Sequence, residues 1–167
     1  IKAAKKNFSV PISVDTYKSE VAKKALALGV EIINDITGMT DSNLRKVCAD
    51  YEATVVIMHM QGKPKTMQKE PEYENVVTEI IEFLQIQSEL CLHAGIKSII
   101  LDPGIGFGKT VEHNLEILRK LEKFKELRLP ILLGISRKSF LGKILELDNP
   151  KDRDFGTHLV DFFGLLK

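Results

Sequence analysis

The densest chemistry in this sequence lies in Leu101-Asp102-Pro103-Gly104-Ile105-Gly106-Phe107-Gly108-Lys109. A carboxylate precedes glycines spaced by two, which let the backbone turn sharply and come close to a ligand. Two phosphate-binding motifs are excluded here. A G-x-x-x-x-G-K-[ST] loop ending at Gly108-Lys109-Thr110 needs glycine at 103, where Pro103 stands. A G-x-G-x-x-G fingerprint begun at Gly104 and Gly106 meets Lys109 where its last glycine belongs. A second stretch, Gly134-Ile135-Ser136-Arg137-Lys138-Ser139-Phe140-Leu141-Gly142, sets two adjacent cations before a helix start. That suits an anionic or carbonyl-bearing ligand, with Ser139 and the helix N-terminus able to hold a carboxylate. The plain alternatives are a glycine turn that binds nothing and a solvated basic loop. A third stretch, Met58-His59-Met60-Gln61-Gly62-Lys63-Pro64-Lys65-Thr66-Met67-Gln68, offers soft thioether surface to a flat heterocycle. A lone histidine at a strand end, as His59 is, more often has a structural role. His93 and His113, in helical stretches, read as surface residues.

Short β-rich runs alternate with helical periods and must position these groups. The runs cover 11–14, 31–33, 54–58, 98–101 and 131–134. They are mostly apolar without strict alternation, as in strands of a parallel sheet buried on both faces. Between them, Val21, Ala22, Ala25 and Leu26 form one helical stripe, closed by Gly29. Leu44, Val47, Cys48 and Tyr51 form a second, and Val76 through Cys91 a long third that Gly95 ends. Leu115, Leu118, Leu121 and Phe124 form a fourth, stopped by Pro130. Short helices follow Ser139 and run through His158–Leu166, while residues 1–6 read as the last turns of a helix.

This βα repetition predicts an α/β fold with a parallel sheet. Each strand delivers polar groups at its C-terminal end: Asp15, Asn34-Asp35, His59, Asp102 and Ser136-Arg137-Lys138. An open doubly wound sheet concentrates ligand groups at one switch point, whereas a barrel collects them from many strands. A (β/α)8 barrel is therefore expected. About five βα units are visible, so the barrel is incomplete, since eight units take about 250 residues.

The 167 residues suffice for one domain, 1–167, with a sizeable core. Lys plus Arg number 24 against 23 Asp plus Glu, a formal net charge of +1, which leaves no electrostatic case for nucleic acid or an anionic membrane as main partner. No apolar run approaches the roughly 18 residues of a membrane span. Cys48 and Cys91 lack CxxC partners and read as reduced thiols packed like small hydrophobes, so a cytoplasmic location is expected.

Together, Val14-Asp15-Thr16, Ile32-Ile33-Asn34-Asp35-Ile36, Ile57-Met58-His59-Met60-Gln61-Gly62, the run 101–109 and Gly134-Ile135-Ser136-Arg137-Lys138-Ser139 resemble the dihydropteroate synthase family, in that family's order. The resemblance implies a pterin-binding barrel of the TIM type. It assigns Asp15, Asn34 and Asp102 to the edge of the pterin ring, and Lys138 to its carbonyl and ring nitrogen. Met58, Phe107 and Gly134 would wall a flat pocket. Ser139 would meet the carboxylate of p-aminobenzoate, the part that sulfonamides imitate. Asp15, Asp102 and Lys138 are the implied catalytic groups. The implied transferase joins the pterin diphosphate to p-aminobenzoate in folate biosynthesis, releasing diphosphate with help from Mg2+.

The family's first strand, with its magnesium-site Asn and the mobile loop after it, has no counterpart in this sequence, and neither has the last strand with its Arg and His. The expectations are no magnesium ligand in this chain, weak pterin binding and little turnover. Relatives form homodimers partly through helices near the C-terminus, and the oligomeric state of this chain stays open, a homodimer being one option. Two alternatives stand. A methyltetrahydrofolate-dependent methyltransferase shares the Asp, Asn and Asp positions but normally carries Asn where Arg137-Lys138-Ser139 stands. A truncated homologue that binds pterin without catalysis is the other.

Overall fold

The computed structural model describes residues 1–167 apart from Lys63, Pro64, Lys65 and Gln68, so part of the 58–68 loop lies outside the described residues. By its internal contacts the chain divides into one unit of Ile1–Met58 with Phe83–Leu101 and another of His59–Glu82 with Asp102–Lys167.

In the first unit, α1 (Lys2–Asn7) leads into β1 (Ser13–Asp15), α2 (Ser19–Leu26), β2 (Ile32–Asp35), α3 (Ser42–Asp50) and β3 (Thr54–Met58). After α4 (Val76–His93) comes β4 (Ile99–Asp102). The four strands form one sheet in sequence order. The register is parallel, Asp15 opposite Asn34 and Ile33 opposite Val55. The bonds Val55 N to Ser98 O and His59 N to Asp102 O, both 3.0 Å, advance together along the two chains and make the β3–β4 pairing parallel as well.

The apolar strand runs are buried as anticipated, with Ile33, Val55, Ile57 and Leu101 fully enclosed. The small face of α2, Ala22 and Ala25, and Leu44 and Cys48 of α3 complete this core. Asp41 caps α3 by accepting from Asn43 N at 2.9 Å. Gly29 (φ +88°) and Gly95 (φ +97°) end α2 and α4 in the left-handed conformation predicted for them. Val21 and Tyr51, placed in apolar stripes by period, are exposed. Among the described residues no helix is long and apolar enough to cross a membrane.

The second unit holds α5 (Val111–Arg119), α6 (Ser139–Leu145) and α7 (Asp154–Leu165), with 3-10 helices at Leu121–Leu127 and Pro150–Arg153. Here the structure departs from two expectations. The fourth helix does not run through Phe124 as an α-helix but tightens at Lys120. Leu121 and Phe124 are both buried, and their spacing of three matches the three-residue turn of a 3-10 helix. The run at 131–134 does not form a strand: Ile131 makes a single bridge and the following residues lack regular structure. Pro130 before it supplies no N–H, and Gly134 lowers strand propensity within it.

Candidate functional site

In the second unit, the glycines of 101–109 fold the chain back on itself behind Asp102. Gly104 (φ +71°), Gly106 (φ +81°) and Gly108 (φ +60°) all occupy the left-handed region. Gly104 packs so closely that an added Cβ would stand 1.8 Å from the His59 carbonyl oxygen. The turn closes with Phe107 N donating to Gly104 O at 3.0 Å. From α5, Asn114 accepts from Gly106 N at 2.7 Å, and its amide donates to Thr110 O at 2.6 Å. A reciprocal cap between Thr110 and His113 fixes where that helix begins.

Asp102 is 5% exposed and accepts from Gly104 N at 2.7 Å. Burial raises its pKa to about 6. The Gly104 N–H and the positive charges of Lys138 and Lys109 limit that rise. Lys138 Nζ lies over the Phe107 ring, 4.1 Å from its centroid. An added Cβ on Gly106 would come within 3.0 Å of the Lys138 stem, so the glycine makes room for that lysine. Burial lowers the Lys138 pKa, and Asp102 opposes the shift. A Cβ on Gly134 would be 3.7 Å from Asp102 Oδ2, an ordinary van der Waals contact, so Gly134 lies directly beside that carboxylate. Of the residues expected to act together, Asp102, Phe107, Gly134 and Lys138 are thus gathered within one unit.

The others differ. Arg137, read with Lys138 as a ligand cation, is engaged by Asp154 through two bonds of 2.6 and 2.8 Å. Ser139 is exposed at the first turn of α6. In the first unit, Asp15 and Asn34 face each other in register, and Asn34 Nδ2 donates to Asp15 Oδ1 at 3.0 Å. Asn34 Oδ1 is buried and has no hydrogen-bond partner among the described residues. An unpaired buried acceptor is costly and marks a place where a donor belongs. Met58 is buried at the end of β3. Asp35 is spent on its own turn, accepting from Thr37 N, Thr37 Oγ1 and Met39 N at 2.7 to 2.9 Å.

Two groups escaped the sequence reading. Lys109, noted only as the end of a glycine run, is 4% exposed. Its Nζ lies 3.0 Å from His59 Nδ1 and donates to Phe107 O at 3.0 Å. Burial lowers its pKa to about 7. His59 is neutral, its pKa pushed to about 3 by burial first and Lys109 second. Tyr73 is the other, with its hydroxyl donating to Gly108 O at 2.8 Å and its ring edge-on to His113. Neither pairing has a local sequence signal, because the partners are 50 and 35 residues apart. His113, read as a surface residue, serves the α5 cap, whereas His93 is exposed as expected.

Residues 1–166 match the family described as pterin binding enzyme. The chain belongs to this family. It is 44% identical over 160 residues to the dihydropteroate synthase of Synechocystis sp., covering 94% of this chain and 55% of that relative. The structure of dihydropteroate synthase from Thermus thermophilus in complex with 4-aminobenzoate superposes with a TM-score of 0.95 at 39% identity, over 99% of this chain and 67% of that one. The same synthase in complex with 6HMPPP gives a TM-score of 0.91 at 40% identity, over 94% of this chain and 63% of that one. The α/β class with a parallel sheet, expected as an incomplete pterin-binding barrel, holds in these neighbours.

Proposed function

We propose that this chain is the pterin-binding portion of a dihydropteroate synthase. The observation that carries the reading is the buried carboxylate of Asp102 beside Gly134, with the positive charge of Lys138, stacked on Phe107, acting on it. An ionised carboxylate accepts two parallel bonds from the amino-pyrimidinone edge of a pterin, a charge-assisted pairing. Lys138 would donate to the pterin carbonyl and ring nitrogen, and the Phe107 ring offers an apolar wall. On the other unit, the same proposal assigns Asp15, Asn34 and Met58 to pterin, and the unpaired Asn34 Oδ1 supports it as the acceptor of a ligand N–H. Ser139 is assigned to the p-aminobenzoate carboxylate.

The reaction is substitution at the pterin methylene. The arylamine nitrogen forms a bond to that carbon, the carbon–oxygen bond to diphosphate breaks, and the nitrogen sheds a proton. Positive charge that develops on the methylene spreads into the pterin, where the buried Asp102 carboxylate stabilises it in a low-dielectric setting. No covalent enzyme nucleophile is needed. Magnesium enters this reading as counter-ion of the leaving diphosphate. Among the described residues no three His, Cys, Asp or Glu side chains gather as a metal site would need. The same reading places the protein in the cytoplasm as a homodimer.

Titration of a reduced pterin into this chain and into Asp102→Asn, with circular dichroism establishing that both are folded, tests the proposal. Saturable binding lost in the variant is expected. A folded chain that binds no pterin overturns it. Binding without formation of dihydropteroate from the diphosphate and p-aminobenzoate would restrict the chain to a binding role.

A further inference from the structure

Resting on that reading, we propose that Lys109 is a positioning residue of the pterin site. From within the unit it ties the β3 exit to the glycine turn and supplies the Asp102 carboxylate with a second positive charge beside Lys138. The geometry is specific. Lys109 Nζ reaches the Phe107 carbonyl and His59 Nδ1, both at 3.0 Å, and more distantly the His59 carbonyl at 3.4 Å. The same nitrogen is 3.3 Å from where a Gly104 Cβ would stand, next to the backbone N–H that Asp102 accepts. One ammonium therefore ties the carbonyl of Phe107, the residue under Lys138, to His59 at the β3 exit.

Among the described residues, none of its hydrogen-bond acceptors carries a negative charge. The ionisable groups facing it are His59 from the β3 exit, Asp102 from β4 and Lys138 from the segment before α6. His59 stays neutral, so with the ammonium donating, Nδ1 accepts and the ring proton sits on Nε2. The charge of Lys109 is thus balanced through space by Asp102, and Asp102 shares its own charge with Lys138. A lysine used only to hold backbone carbonyls would have no bearing on Asp102. A lysine whose charge also acts on Asp102, after burial, the Gly104 N–H and Lys138, contributes to how much of the carboxylate is ionised, and only that form accepts two bonds from the pterin.

Carbon-detected NMR of the Asp102 carboxyl in the full chain reads this directly, without any ligand. Wild type is expected to titrate near 6. Lys109→Met should raise the midpoint by roughly 1 unit, the low end of the effect of a neighbouring opposite charge. Lys109→Arg, which keeps the charge, should leave it in place. At pH 6 that shift lowers the ionised fraction from about a half to about a tenth, so pterin binding weakens about fivefold. The difference should vanish by pH 8, where Asp102 is ionised in every variant and Lys109 itself is largely neutral. Lys109→Gln, uncharged yet able to donate to Phe107 O, gives the same readout if the methionine variant does not fold. An unmoved Asp102 midpoint in the uncharged variants overturns the proposal whether or not pterin binds. A midpoint that moves in a wild-type background that binds no pterin leaves the charge coupling standing and refutes its use for that ligand, together with the proposed function.

Discussion

Replacing Gly104 with alanine should damage this protein more than any comparable change in its glycine-rich turn. The new Cβ would lie 1.8 Å from the His59 carbonyl oxygen, and the contact is with backbone, which cannot rotate away. Relief requires the turn to retreat by more than about 1 Å, since real Cβ atoms do not approach a neighbour within about 3 Å. That movement breaks the 2.7 Å bond from Gly104 N to Asp102 Oδ1. Losing a hydrogen bond to a charged group costs about 1.5–3 kcal/mol. Holding an L-residue at φ +71° adds about 1–2 kcal/mol. The sum, about 2.5–5 kcal/mol, is a large part of the stability of an ordinary domain. Urea denaturation of wild type and variant at pH 7 measures it. Gly134→Ala is the control: its Cβ meets Asp102 Oδ2 at an ordinary 3.7 Å. It should stay within about 1 kcal/mol of wild type, yet weaken pterin binding, because its methyl group sits against the carboxylate oxygen that the proposal assigns to the pterin. A Gly104→Ala variant within about 1 kcal/mol of wild type would refute the close-approach argument.

Two further outcomes are expected. His59 has a folded pKa of about 3 against 6.5 unperturbed, so its contribution to stability is complete above pH 6.5 and is lost as pH falls toward 3. Asp102, raised from 3.8 to about 6, acts in the opposite sense: the folded state holds a proton between those values that the unfolded chain does not, so stability from it grows as pH falls. The difference between wild type and His59→Gln isolates the first effect. It should move in favour of the variant by about 2.5 kcal/mol between pH 7 and 4.5, and a pH-independent difference in urea titrations would exclude it. The proposed homodimer, supported by Phe155, Leu159 and Phe162 exposed along α7, should dissociate in Phe162→Glu. Sedimentation velocity showing a monomer for the unmodified chain would remove that proposal.

The sequence by itself determined the features set by local chemistry. Unbroken apolar runs mark strands buried on both faces, and Ile33, Val55, Ile57 and Leu101 are so buried. Glycines at 29 and 95 end helices because only a residue without Cβ adopts the left-handed cap at little cost. Asp102 before a run of alternate glycines signals a polar strand end with a close-approach turn behind it. The tertiary structure decided which polar groups remain available. Arg137 looks like a ligand cation until Asp154, 17 residues on, takes it in a two-bond pair. Lys109 looks like the end of a turn until burial brings it to His59, 50 residues away. The 131–134 run has strand composition, but a strand exists only where a ladder forms, and Ile131 alone in that run makes a bridge. Periodicity and turn chemistry act over a few residues, so they can be read along the chain. Charge pairing, desolvation and the unpaired oxygen of Asn34 depend on neighbours that only the folded chain supplies.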